Sequence, residues 1–353
     1  MTIIYFILLL TVIICIHEAG HLFAAKKFGV YCYEYSFGMG PVIWKRKKGE
    51  TQYSIRAIPI GGFVAMAGEQ DGDAAYPDVT VPDGRRLTDK PWWQKVIIML
   101  AGVFMNFVLC WVIFSLIILH AGSFAVSPKA VIEEVISASP AEAAGLEAGD
   151  EIEAIVLSDG TEYHPSTYQD LQLELSSMSD QPIQLTVLRD GKELTVSVTP
   201  EYNEEYQYYM IGIRGPSAEM KDVNLLNCWG FGAQEMWTVT KLMMSAIRNL
   251  FAGRNLNQLS GPVGIYQATE QTVSYGFSSF LFLMAELSLN VGIFNLIPLP
   301  VLDGGQVVIT IAEAIAHRRL NEKVKIGLMG ACWVLLIALM LFVTWNDVSR
   351  MIG

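Results

Sequence analysis

Apolar residues in this chain gather in long unbroken runs. Four runs reach the ~20 residues that a helix needs to cross a hydrocarbon core. They cover about Ile3–Ala25, Val96–Leu119, Phe277–Leu299 and Ile326–Trp345. The first has no basic start and contains His17, Glu18 and His21, so it reads as a span rather than a cleaved signal peptide. Between the runs the pattern changes. Tyr53–Ile60 is rich in β-formers, Gly61-Gly62 is expected to break it before Phe63, and Gly38, Gly40 and Pro41 suggest another turn. Residues 70–90 are acidic and rich in turn formers, which suggests a mobile loop.

The stretch 126–215 has a short-period pattern of its own. Val131–Ile136 reads as a strand, and Ser139–Leu146 as a short capped helix with Pro140 at its first position. Glu151–Val156 is a second strand, and a helix is expected near Ser166–Ser177. Ile183–Leu188 and Glu193–Thr199 form a hairpin turning at Asp190-Gly191. The SPAxxAGLxxGD pattern from Ser139 to Asp150 resembles a PDZ domain of the circularly permuted bacterial kind. Residues 220–250 are amphipathic, from Trp229 to Leu250. They suit a helix on the membrane surface or one packed on the bundle. The expected divisions are spans at 1–28, 93–120, 277–303 and 326–346, a β-hairpin region at 30–70 and a cytoplasmic loop at 71–92. A PDZ domain at 126–215 and an amphipathic juxtamembrane helix within 216–260 complete them.

Composition agrees with a membrane protein carrying a water-facing insert. Of 353 residues, 52% are hydrophobic and 17% charged, against ~25% charged in soluble proteins. The net charge of -11 argues against nucleic acid as a partner. Its distribution fixes an expected topology. Residues 26–95 hold eleven basic and eight acidic side chains, while 120–220 hold four basic and eighteen acidic ones. The positive-inside rule puts 26–95 and 304–325 in the cytoplasm, and both termini and the acidic insert outside. Of the five cysteines, only Cys228 falls outside, so no external disulfide is expected within the chain.

Chemistry concentrates at His17-Glu18-Ala19-Gly20-His21. Two histidines four residues apart lie on one helix face and can hold one zinc. Glu18 is placed to act as general base. Ionisable groups inside an apolar span are costly unless paired or metal-bound. The plainer alternative is a hydrogen-bonded cluster or proton relay. Asp303, after the helix-breaking Pro298 and Pro300, is the candidate third ligand. Its alternative is a helix-terminal aspartate at the lipid interface.

The motifs IHEAGH (Ile16–His21), GMGPVIWKRKKGETQYSIRAIPIGGFVAMAGE (Gly38–Glu69), AGVFMNF (Ala101–Phe107), SGPVGI (Ser260–Ile265) and FNLIPLPVLDGGQ (Phe294–Gln306) span nearly the whole chain. Together they resemble the site-2 protease family, more narrowly its bacterial RseP/RasP-like branch. The resemblance implies a polytopic α-helical membrane protein with four transmembrane helices, a membrane-associated β-hairpin on the cytoplasmic side and one inserted extracytoplasmic α+β PDZ domain. It implies His17, His21 and Asp303 as ligands of Zn2+, with Glu18 as the catalytic base. It further implies that Asn295 and Pro298 position substrate. An edge strand near Ile60, Gly61, Gly62 and Phe63 would pair with an unwound substrate helix. Asn106 matches the family's GxxxN element, either polarising the scissile carbonyl or simply packing. Expected partners are the lipid bilayer and single-span membrane proteins, such as anti-sigma factors or signal-peptide remnants, with a peptide C-terminus at the PDZ domain. The expected location is the bacterial cell membrane, with the active site toward the cytoplasm. Two departures are a single PDZ domain and Gln306 where relatives often carry His. Glu286, inside the third run, has no role in the motifs. The competing readings are a non-catalytic membrane PDZ adaptor and an ion or proton transporter.

Overall fold

The computed structural model describes residues 2–158, 160–176, 180–204, 208–251, 261–318 and 320–352. Ser177, Ser260 and the end of the expected 216–260 segment lie outside the described residues, as does the side chain of Ile60. The helices are α1 (Thr2–Lys27), α2 (Gln70–Ala75), α3 (Trp92–Ala121), α4 (Pro140–Ala143), α5 (Tyr168–Ser176), α6 (Cys228–Phe251), α7 (Pro262–Ser274), α8 (Phe277–Asn295), α9 (Asp303–Ala316) and α10 (Glu322–Ile352). The strands are β1 (Cys32–Lys48), β2 (Thr51–Met66), β3 (Ser123–Val126), β4 (Glu134–Val135), β5 (Glu151–Val156), β6 (Glu162–Tyr163), β7 (Ile183–Arg189), β8 (Lys192–Val198), β9 (Glu201–Asn203), β10 (Tyr208–Met210), β11 (Ile213–Arg214) and β12 (Glu219–Asp222). They fall into two compact units, Ala121–Asn224 and the remainder.

In the helical unit, α1, α3, α8 and residues Lys323–Asp347 of α10 are long and apolar enough to cross a membrane. The chain is a polytopic membrane protein. Leu9 and Ile13 of α1, Cys110 and Phe114 of α3, and Phe280 and Leu289 of α8 share one buried core. Val239 of α6 joins that core, and the Trp111 indole donates to the Trp229 carbonyl at 2.8 Å. The amphipathic helix therefore packs on the bundle. It starts at Cys228, because Glu219–Asp222 upstream is spent as a strand.

Two further expectations need correction. The third run leaves the helix at Asn295, ahead of the helix-breaking Pro298 and Pro300 as expected, but after the proline-bearing turn α9 occupies what read as a loop after Asp303. Residues 261–276, unassigned by pattern, form α7, whose first turn is capped by Asp347 of α10 through the Gly261 and Gly264 N–H groups. The 71–92 segment is pinned rather than loose. Tyr76 bonds Glu34, Arg86 pairs with Asp73 at 2.7 Å, and Arg85 pairs with Glu50 at 2.6 Å.

Neither Gly38–Pro41 nor Gly61-Gly62 breaks the chain into separate strands. β1 and β2 run through them with register shifts, and the sheet is more closed than a simple hairpin. Tyr35 pairs with Val64 on one side and Tyr53 on the other, and Ser36 likewise with Phe63 and Ser54. Segment 34–37 is thus held from both sides, leaving 62–66 at an edge. The sheet lies along α1. Lys26 Nζ donates to Tyr53 Oη at 2.8 Å, Tyr35 Oη to the Cys15 carbonyl at 2.8 Å, and Thr11 Oγ1 to the Pro59 carbonyl at 2.6 Å. Those contacts span about 15 residues of helix, roughly 22 Å at 1.5 Å per residue. Glu34, fully buried, holds the sheet by accepting from Ser54, Tyr76 and a bidentate Arg56.

The inserted unit has a four-stranded sheet in the order β6-β5-β7-β8, with α4 and α5 beside it. Ile132, Ile152, Ile155, Leu171, Leu185 and Val187 fill its core. Ser139 caps α4 by accepting from the Glu142 N–H, as its position before Pro140 suggests. Asp190 and Gly191 both take positive φ, 50° and 77°, the geometry of a tight hairpin turn. The expected strand at 131–136 shrinks to Glu134–Val135 plus a single bridge from Val131 to Glu151.

Candidate metal centre

His17 and His21 lie one turn apart near the C-terminal end of α1, both under a tenth exposed. Their rings are fixed differently. His21 Nδ1 lies 2.8 Å from the Ile98 carbonyl of α3, and His17 Nδ1 lies 3.3 Å from Asn106 Nδ2 of the same helix. Both Nε2 atoms therefore turn inward, 3.2 Å apart. Asp303, at the first turn of α9, brings Oδ2 to 3.1 Å from His17 Nε2 and 3.5 Å from His21 Nε2. That oxygen is buried and accepts no hydrogen bond.

These distances fit one ion. A tetrahedral zinc with bonds of ~2.0–2.1 Å sets its ligand atoms about 3.3–3.4 Å apart. Among the described residues this is the cluster of His, Cys, Asp and Glu able to hold a metal, with ligand atoms within 4.8 Å of one another. The donor set, two imidazoles and a carboxylate, is one that zinc accepts while keeping a coordination position open. With the proton of each ring on Nδ1, the two Nε2 atoms and Asp303 Oδ2 are three inward-facing acceptors that repel each other unless a cation sits between.

Close helix approach makes the cluster. A Cβ on Gly20 would lie 2.2 Å from the Ala101 carbonyl oxygen, and one on Gly102 would lie 2.5 Å from His21 Nε2. Only hydrogen at both positions lets α1 and α3 meet with the rings between them. The sequence signal for this approach is Gly20 itself, a residue without a side chain between the two histidines. The Asp303 arm is placed in a similar way. Side chains at Gly304 or Gly305 would run into the Leu296 and Leu299 carbonyls. Gln306 Nε2 donates to the Pro300 carbonyl, so this departure from the family pattern serves the turn.

Glu18 is half-buried beside the cluster, and its Oε2 accepts the Val64 N–H of β2 at 3.1 Å. The 62–66 edge of the sheet therefore reaches the site through Val64, at the end of the expected Ile60–Val64 edge strand. Gly61 and Gly62 lie against Ile14 and Cys15, one turn before His17. Phe63 packs with the Tyr33–Ala67 cluster, under the Arg56 guanidinium at 5.0 Å. Asn295 closes α8 half-buried, and Pro298 is exposed in the turn leading to Asp303. Asn106 is fully buried against His17, which suits a partner of the imidazole better than a group aimed at substrate. Glu286 of α8 stands within electrostatic range of Glu235 of α6.

A histidine pair, an aspartate from a separate helix and an adjacent glutamate, all within a membrane helix bundle, define the class of zinc-dependent intramembrane peptidases. The sequence model of peptidase family M50 matches residues 5–339, and the chain belongs to that family. It is similar to the regulator of sigma-W protease RasP of Bacillus subtilis, 30% identical over 424 residues, covering 99% of both chains. The zinc metalloprotease RasP of Bacillus licheniformis matches with the same identity and coverage. A relative in Clostridium perfringens is 34% identical over 350 residues, 99% of this chain and 98% of the other. The protein is a membrane zinc metalloprotease of the site-2 type. The adaptor and transporter readings give way to it.

Proposed function

We propose that His17, His21 and Asp303 hold the zinc, that Glu18 is the catalytic base, and that the reaction is hydrolysis of a peptide bond within a substrate's transmembrane segment. The convergence of three ligand atoms on one point beside Glu18 carries this reading. Zinc, when bound, polarises the scissile carbonyl and lowers the pKa of water toward ~7. Glu18 takes the proton from the attacking water and returns it to the leaving amine. A base within reach of both atoms can serve each step.

A helical substrate hides its carbonyls and must unwind first. The 62–66 edge can pair with the unwound stretch as an added strand. In that arrangement substrate main chain competes for the Val64 N–H, freeing the Glu18 carboxylate. Ile60–Phe63 would line the same edge, and Asn295 and Pro298 would position the chain from the α8–α9 turn. The exposed Met39, Val42, Ile43, Trp44, Ile55 and Ile58 give the sheet an apolar surface suited to lipid.

The charge asymmetry supports a cytoplasmic position for the sheet and loop 26–95, with both termini and the inserted unit outside, in a bacterial cell membrane. The SPAxxAGLxxGD stretch, with its capped α4 and four-stranded sheet, supports reading the insert as a PDZ domain. It would exclude bulky ectodomains or bind the C-terminus left by an earlier cut. Substrates would be single-span proteins, anti-sigma factors or signal-peptide remnants. The sigma-W regulation in the name of the Bacillus subtilis relative favours the first class.

The test uses the full chain in proteoliposomes with a tagged single-span substrate. Wild-type protein should cut within the span. Glu18→Gln should be slower by about 10²–10⁴-fold, the usual worth of a general base, while retaining its zinc. Cleavage by Glu18→Gln at the wild-type rate would sink the proposal.

A further inference from the structure

We infer that Asn106 is a positioning residue that sets the tautomer of His17 and so commits its Nε2 to the metal. The inference rests on the reading of His17 as a ligand. An imidazole can give Nε2 to a metal only if its proton sits on Nδ1. For His21 this is secured by the Ile98 carbonyl at 2.8 Å, because a carbonyl can only accept. The neighbour of His17 Nδ1 is instead a carboxamide, which can donate or accept according to a half-turn of its side chain.

With nitrogen toward the ring, at 3.3 Å, the amide would donate to Nδ1. The imidazole proton would then sit on Nε2, the atom that faces His21 and Asp303. The same setting leaves Asn106 Oδ1 buried without a partner. The half-turned amide puts Oδ1 against Nδ1–H, the acceptor that metal-binding histidines nearly always have. One end of the amide lacks a protein partner in either setting, and only this one leaves a lone pair on Nε2.

The surroundings hold the residue in place. Asn106 is fully buried, and its main-chain carbonyl accepts from Ser288 Oγ of α8 at 3.0 Å. Gly102, one turn earlier on α3, lies directly under both rings. The Gly102–Asn106 spacing thus makes a bed for the histidine pair, empty of side chain at one step and offering an acceptor at the next.

The experiment measures zinc affinity of the full chain in detergent by competition with a chromogenic chelator, and the absorption spectrum with Co2+. Asn106→Ala should bind zinc roughly 10–100-fold more weakly, as losses of such outer partners do. Asn106→Asp, whose carboxylate still accepts from Nδ1–H, should stay within a few-fold of wild type and keep its Co2+ spectrum. Ser288→Ala, which loosens the same helix contact without touching the ring, should leave zinc affinity unchanged. Wild-type affinity in Asn106→Ala would overturn the inference. So would an Asn106→Asp or Ser288→Ala loss equal to that of Asn106→Ala. His17→Ala should bind little zinc. Wild-type affinity there would overturn the ligand reading and this inference with it.

Discussion

Each unit of the molecule buries an aspartate oxygen beside a glycine, and the two are treated in opposite ways. In the inserted unit, Asp150 is 1% exposed and fully partnered. Arg189 donates to both its oxygens at 2.7 Å, and the Glu147 N–H donates at 3.0 Å. In the helical unit, Asp303 has an oxygen that is buried, aimed at two imidazole nitrogens and without a donor. A satisfied buried carboxylate fastens structure, and an unsatisfied one asks for a cation. Glu34 shows that the helical unit also builds the first kind, since Ser54, Tyr76 and Arg56 close around it. The incompleteness at Asp303 is thus local to the site.

Substitutions can break this contrast. The largest effect is expected at His21. His21→Ala should lose zinc from near one equivalent to near none and cleave no substrate, as read by elemental analysis and a cleavage assay. Glu34→Ala should do the reverse, costing about 3–5 kcal/mol of stability, as removal of one buried ion-pair partner does. The surviving folded fraction should keep its zinc, which thermal unfolding and elemental analysis together would show. Gly102→Ala should be milder, about 1–3 kcal/mol of overpacking, with weaker zinc binding because the new methyl displaces the rings. The smallest effect concerns acid. Burial alone would raise the pKa of Asp150, but the Arg189 guanidinium and the Glu147 N–H outweigh it and hold the carboxyl below its usual range. Its contribution is complete above the ordinary value of ~3.9 and disappears as pH falls through the lower folded value. Limited proteolysis within 121–224 of the full chain should therefore quicken at low pH. In Asp150→Asn that acid dependence should flatten.

What the sequence disclosed follows from where its information lies. His17 and His21 sit four residues apart on one helix, so their spacing alone placed both imidazoles on a common face, with Glu18 one residue on from the first. Asp303 was legible because prolines and glycines around it announced a break. The extents of α8 and α9 were not, since an apolar run reads alike whether one helix or two carry it. The ordering of 71–92 rests on Tyr76, Arg85 and Arg86 finding Glu34, Glu50 and Asp73. Such pairings join distant positions and leave no periodicity. The two-sided pairing of 34–37 was hidden for the same reason. Gly20, Gly102 and the Val64 N–H act through approach distances, which only the packed helices and sheet reveal.

In the proposed coordination, two imidazoles and one carboxylate, with no sulfur, surround the zinc. X-ray absorption at the zinc edge of the full chain tests it directly, because Cys15 and Cys110 lie buried in the same bundle. A shell of nitrogen and oxygen at ~2.0–2.2 Å with the multiple-scattering signature of two imidazoles is expected, and it should be lost in His17→Ala. A sulfur shell at ~2.3 Å would contradict it.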